Sequence, residues 1–194
     1  MKTIDLLKLL LKKSAIKRQS VNGFDKYTVF NTDGSLFSIG FNSETNKHGF
    51  GRTQKGIKEL AKYGINDSNT PDFPSIYSET KAQYQTNMVN YLFKTMIENH
   101  EIDAEETPEK ETYTATNQFG PIFSFSHDKK ANKYAIKREK QLKYLYEALE
   151  LPFDIEPDDL KEMYKLIKAE YYWQVVRDNI ESMYDFIPAY YNQI

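Results

Sequence analysis

Between residues 27 and 41 the chain alternates apolar and polar positions with the period of two that sends successive side chains to opposite faces of a strand. The alternation is interrupted at Asn31-Thr32-Asp33-Gly34, a sequence suited to a type I turn closed by a left-handed glycine. The pattern predicts a hairpin. A three-residue loop of Thr32, Asp33 and Gly34 puts Tyr27, Val29, Phe37, Ile39 and Phe41 on one face and Thr28 and Ser38 on the other. A two-residue Asp33-Gly34 loop divides apolar from polar less cleanly, so the three-residue loop is expected.

Elsewhere the period lengthens to that of a helix. Thr3 is placed to cap a helix over residues 3–14, with Ile4, Leu6, Leu7, Leu10 and Leu11 as its apolar stripe. It reads as a core helix, or as a basic amphipathic helix for a membrane surface or partner. Residues 42–51 are polar and glycine-bearing and read as a loop. Thr53 opens a short helix that ends at Gly64. A long helix is expected from residue 75 or 78 to 99, with Tyr77, Tyr84, Met88, Tyr91, Leu92 and Met96 at helical spacing. Residues 101–111 are acidic, contain Pro108 and read as a linker. A helix over residues 129–149 follows, then a break between Pro152 and Pro157, and then a helix from residue 158 to about 186. This last helix is apolar nearly all round, which predicts burial on several sides or a subunit interface. Pro188 is expected to end it, leaving a tail with Tyr190 and Tyr191 exposed as a contact strip.

The hairpin sequence recurs at a constant offset of 113 − 27 = 86. Identities at Tyr27/Tyr113, Thr28/Thr114, Asn31/Asn117, Gly34/Gly120, Phe37/Phe123, Ser38/Ser124, Asn46/Asn132, Lys47/Lys133 and Arg52/Arg138 give nine in the 26 positions from 27 to 52. Chance would give roughly one or two, and such self-similarity is the mark of a repeat. Phe119 and Pro121 replace Asp33 and Ser35, so the second hairpin is expected to open into a wider loop or a strand edge. The pattern predicts an α+β fold: an N-terminal helix, two related units of one β-hairpin plus two helices, and a long C-terminal helix. Its segments are residues 1–22 (amphipathic helix), 23–100 (first unit), 101–111 (linker) and 112–194 (second unit).

Composition narrows the chemistry. With 194 residues, 40% hydrophobic and 14% aromatic, the chain can bury a core. It has no cysteine, which removes disulfides, thiolate nucleophiles and Cys-based metal sites and is compatible with a reducing cytoplasm. Of 26 basic residues four are arginine, leaving 26 − 4 = 22 lysines, and with abundant Asn, Ile and Tyr this points to an AT-rich coding sequence. Low-GC bacteria, their phages and mobile elements have such genes. Asp5 and Lys8 interrupt the first apolar run, no small-residue cleavage site follows, and no stretch is long enough to span a membrane.

His48, His100 and His127 lack metal-ligand or triad spacing, and residues 49–53 lack the spacing of a phosphate loop. Pro71-Asp72 with Glu79-Thr80-Lys81 imitates a metal-dependent nuclease, but that chemistry needs the Glu and Lys on a strand rather than a helix start. No catalytic, metal or cofactor site is therefore assigned. The leading expectation is a non-catalytic intracellular binding or assembly protein. Tyr172, Trp173, Val176, Tyr190 and Tyr191 would make contacts to another protein or another copy. The alternative is nucleic-acid binding through lysine-rich segments after each hairpin: Lys47, Arg52 and Lys55 in the first half, and Lys129, Lys130, Lys133, Lys137, Arg138 and Lys140 in the second. The net charge of −2 gives no global pull toward nucleic acid, and lysine lacks the forked geometry that reads bases.

Overall fold

A computed structural model describes residues 2–191, with side chains as far as Ser182. The chain is α+β and divides into two compact units after Asn87, inside a long helix. The first unit comprises α1 (Thr3–Lys12), β1 (Ala15–Val21), β2 (Phe24–Asn31), β3 (Gly34–Asn42), β4 (Lys47–Arg52), α2 (Gln54–Lys62) and the first part of α3 (Phe73–Asn99). The second takes the rest of α3, then β5 (Glu101–Glu106), β6 (Lys110–Asn117), β7 (Gly120–Asp128), β8 (Lys133–Arg138), α4 (Lys140–Ala148) and α5 (Leu160–Tyr191). Each sheet is a four-stranded antiparallel meander, β1-β2-β3-β4 and β5-β6-β7-β8.

The central hairpin has the expected faces by a different turn. The chain reverses over Thr32 and Asp33, with Asn31 paired to Gly34 and the Asn31 side chain accepting from the Asp33 amide at 2.9 Å. A bulge between Val29 and Phe30 then takes up the extra residue, so Val29 still faces Phe37 and Tyr27 faces Ile39. Gly34 has φ of 123°, a conformation open to glycine. The second hairpin does not open. Asn117 pairs with Gly120, the bulge recurs between Ala115 and Thr116, and Pro121 stands beside it near the start of β7, where a missing N–H is tolerated.

The outer strands depart from expectation. The presumed loop at residues 42–51 contains β4, the presumed linker at 101–111 is β5, a turn and the start of β6, and the presumed helix at 129–149 is a turn, β8 and α4. The segment 1–22, expected as a helix alone, is α1 followed by β1. All four unforeseen strands are sheet edges. Edge strands carry charges and breaks in their apolar pattern, which suppress edge-to-edge pairing and also hide the strand signal. Gly49 and Gly51 of β4 alternate with His48 and Phe50, which point inward.

Helix ends follow local chemistry. Thr53 caps α2 by accepting from the Gly56 amide at 2.9 Å, and Asp72 caps α3 by accepting from the Ser75 amide at 2.8 Å. Thr3 is the first helical residue of α1 rather than its cap, and the Asp5 carboxylate accepts from the Lys2 amide. Helix α5 runs on through Pro188 to Tyr191 instead of stopping before it.

The two units share one plan residue for residue. The strands β2, β3 and β4 and helix α2 map onto β6, β7, β8 and α4 with the offset of 86 unchanged. In the first unit Leu7, Leu10 and Leu11 of α1, Leu60 of α2 and Ile76 of α3 cover the face of Tyr27, Val29, Phe37 and Ile39. In the second, the same offset puts Phe93, Met96 and Ile97 of α3 where those three leucines stand, beneath Tyr113, Ala115, Phe123 and Phe125. The last part of α3 therefore serves the second unit as α1 serves the first. No helix among the described residues is long and apolar enough to cross a membrane.

Candidate functional site

A carboxylate on the inner face of each sheet is held by the long helix that covers it. Asp25 accepts from Arg18 at 2.8 Å, Tyr27 at 3.0 Å and Tyr77 of α3 at 2.9 Å. Its equivalent, Glu111, accepts from Tyr164 of α5 and is paired with Lys168 at 2.7 Å and Lys129 at 2.8 Å. Burial works to raise the Asp25 carboxyl, and hydrogen bonds from Arg18, Tyr77 and Tyr27 outweigh it, leaving it below the ordinary range. Lys129, Lys168 and Tyr164 together hold Glu111 down at about 2. Burial and the Asp25 bond push Tyr77 up to about 12. These clusters have every buried polar side-chain atom partnered, and they tie helix to sheet. Among the described residues no three His, Asp or Glu side chains gather as for a metal ion.

The structure disperses the basic candidates. Arg52 binds Asp67 at 2.7 Å. Arg138 donates to the carbonyl oxygens of Phe153 and Ile155 and lies over the Phe153 ring. Lys55 donates to the Asp33 carbonyl oxygen at 2.7 Å, Lys129 is held by Glu111, and Lys137 pairs with Glu139 at 2.6 Å. Lys47, Lys130, Lys133 and Lys140 are exposed, but Lys130 lies in a turn and Lys140 opens α4, so no basic helix gathers them. On the outer face of the second sheet, Lys110, Lys133 and Lys137 share the surface with Asp103, Glu105 and Asp128. The first sheet differs. Its outer face carries Lys17, Lys26 and Lys47 among Gln19, Thr28, Ser38 and the glycines, with no acidic residue at those strand positions. Lys17 and Lys26 were not legible as a pair from the sequence, because only the strand register places them together.

The interface candidates stand on α5. Met163, Tyr164, Ile167 and Tyr171 anchor its inner half on the second sheet, and Gln174 fastens it by accepting from the Ile102 amide at 2.9 Å and donating to the His100 carbonyl oxygen at 2.8 Å. From Trp173 to Ser182 the helix is not buried on several sides, the first of the two settings expected for it. Trp173 is 61% exposed, Val176 48% and Ile180 47%, and Val175 is exposed beside them. Tyr172 is half engaged, with its hydroxyl 3.2 Å from Glu106. The side chains of Tyr190 and Tyr191 lie outside the described residues. Comparison with protein families, with curated proteins and with solved structures finds no match. The site is therefore read from its own geometry. An open groove beside the strip is lined by Lys94, Ile97, Glu162, Leu166, Ala169 and Trp173, with the Lys94–Glu162 ion pair at 3.5 Å on its rim. Ile180, Leu166 and Ala169 join Trp173 and Val176 in one stripe, and helical spacing was the signal that could have found them.

Proposed function

We propose that this chain is a non-catalytic binding or assembly protein working through protein contacts made by α5. The observation that carries this is the exposed run of Trp173, Val176 and Ile180 along one face of a helix whose inner half is firmly anchored. An apolar run of that kind, rimmed by charge, is characteristic of an interaction surface, and covering each large side chain is worth about 1.5–3 kcal/mol. The test is a photo-crosslinking residue placed at Val176 in cells making the protein. The expected result is a discrete protein adduct, and its absence would refute the reading.

A second reading rests on the outer face of the first sheet, where Lys17, Lys26 and Lys47 stand with no acidic residue at the outward strand positions, Asp25 of β2 being on the inner face. Three such lysines suit the phosphate backbone of a nucleic acid, without base-specific reading. Retention on single-stranded or duplex DNA should fall steeply as salt rises and be lost in Lys17→Glu/Lys26→Glu/Lys47→Glu. Retention unchanged by that triple substitution would exclude this face.

A further inference from the structure

The repeat shows what the exposed strip is built to resemble. Tyr77 and Tyr84 of α3 and Tyr164 and Tyr171 of α5 make matching ring contacts with Tyr27 and Tyr113, so the long helices correspond with an offset of 87. Carried along the helix, that offset sets Val89, Phe93 and Met96, all buried under the second sheet, over Val176, Ile180 and Met183. The distal half of α5 thus repeats a covering pattern, and among the described residues there is no third sheet for it to cover. The first sheet is already covered by α1 and the second by α3. A tethered helix such as α1 also holds its place against an incoming one through its high effective concentration.

We propose that α5 of a second copy covers this strip, packed antiparallel to the first. The inference rests on α5 being a protein-binding surface. Leu166, Ala169, Trp173, Val176 and Ile180 are spaced three, four, three and four residues apart, the seam of a two-helix coiled coil, and the sequence continues the spacing with Met183. Direction follows from side-chain size. A parallel pair would set Trp173 against Trp173 and Ala169 against Ala169, crowding one layer and emptying the next. An antiparallel pair sets Trp173 against Val176 of the second copy and Ala169 against Ile180, bulky against small. Charge agrees. Glu170 and Arg177 flank the stripe on one side, and antiparallel packing brings each opposite the other across the two-fold axis. The contact is isologous and closes at two copies.

The absence of native cysteine makes disulfide trapping clean. Glu170 and Arg177 are two helical turns apart, about 10 Å, too far to bridge within one chain. Glu170→Cys/Arg177→Cys should form a covalent dimer on mild oxidation while neither single variant does. In sedimentation the unmodified chain should dimerise at micromolar concentration. Glu170→Arg and Arg177→Glu should each weaken the dimer roughly tenfold, and the two together should restore it. Val176→Asp/Ile180→Asp should be monomeric with an unchanged circular dichroism spectrum. A wild-type monomer throughout that range, or single-cysteine variants that cross-link as readily as the double, would overturn the proposal. The Val176 photo-adduct separates the two levels. Twice the mass of the chain supports self-pairing, another mass overturns it while leaving α5 as the binding surface, and no adduct overturns both.

Discussion

Glu111 is the residue on which acid should act most strongly. Its carboxyl titrates at about 2 against an ordinary value of 4.5, because Lys129, Lys168 and Tyr164 all hold the charged form. A carboxyl lowered by folding contributes its stability in full above the unfolded value and loses it as pH falls toward the folded one. The second unit should therefore weaken between about pH 5 and pH 2, and Glu111→Gln should flatten that dependence, as urea unfolding at a series of pH values would show. At neutral pH the same variant should cost about 2–4 kcal/mol, since it leaves Lys129 and Lys168 with no charged partner. Asp25 should give the first unit an acid sensitivity of the same sign. Gly56 is a different single point of failure. A Cβ there would stand 1.8 Å from the Leu36 carbonyl oxygen, a backbone atom that cannot rotate away. Gly56→Ala should force α2 off β3 and lower stability by about 2 kcal/mol or more, read as a shifted denaturation midpoint.

Elements were legible in proportion to how completely their own residues determine them. The strands β2 and β6 alternate because one face is core and the other solvent, and β3 and β7 follow them except at Leu36-Phe37 and Ile122-Phe123, which are buried in succession. The edge strands β1, β4, β5 and β8 do not, since an edge takes half its definition from the neighbour it pairs with. Thr53 and its short helix could be read directly, because a cap is a local bond; Thr53→Ala should cost about 1 kcal/mol in denaturant unfolding. Helix α5 carried an ambiguous message. Its apolar composition said only that much of it needs covering. The structure divides the need, satisfying Met163, Ile167 and Tyr171 and leaving Trp173, Val176 and Ile180 outside. Val176→Asp/Ile180→Asp should consequently leave thermal stability within about 1 kcal/mol of the parent whenever the chain is dilute, because neither side chain is core in the single chain.

At the scale of the molecule the organising feature is a repeat whose units share a helix. Helix α3 closes the first sheet with Ile76 and opens the second unit with Phe93, Met96 and Ile97. Equivalent positions have exchanged chemistry while keeping geometry. Phe41 and His48 contact Tyr77 in the first unit, and His127 and Tyr134 contact Tyr164 in the second. The outer faces have diverged further, basic on the first sheet and mixed on the second. Charge reversal at Lys17 and Lys26 should therefore reduce binding to a polyanion such as heparin more than reversal at Lys133 and Lys137, measured as the salt needed for elution.

The amino-acid sequence by itself determined the α+β class, the duplication, the faces of the first central hairpin and the caps at Thr53 and Gly64, because period, turn chemistry and capping act over a few residues. Tertiary structure decided the four edge strands and the clusters around Asp25 and Glu111. It also decided which lysines are tied into ion pairs and where along α5 burial ends. Each of these depends on which distant segment lies across from a side chain, and a pattern read along one stretch does not contain its neighbour.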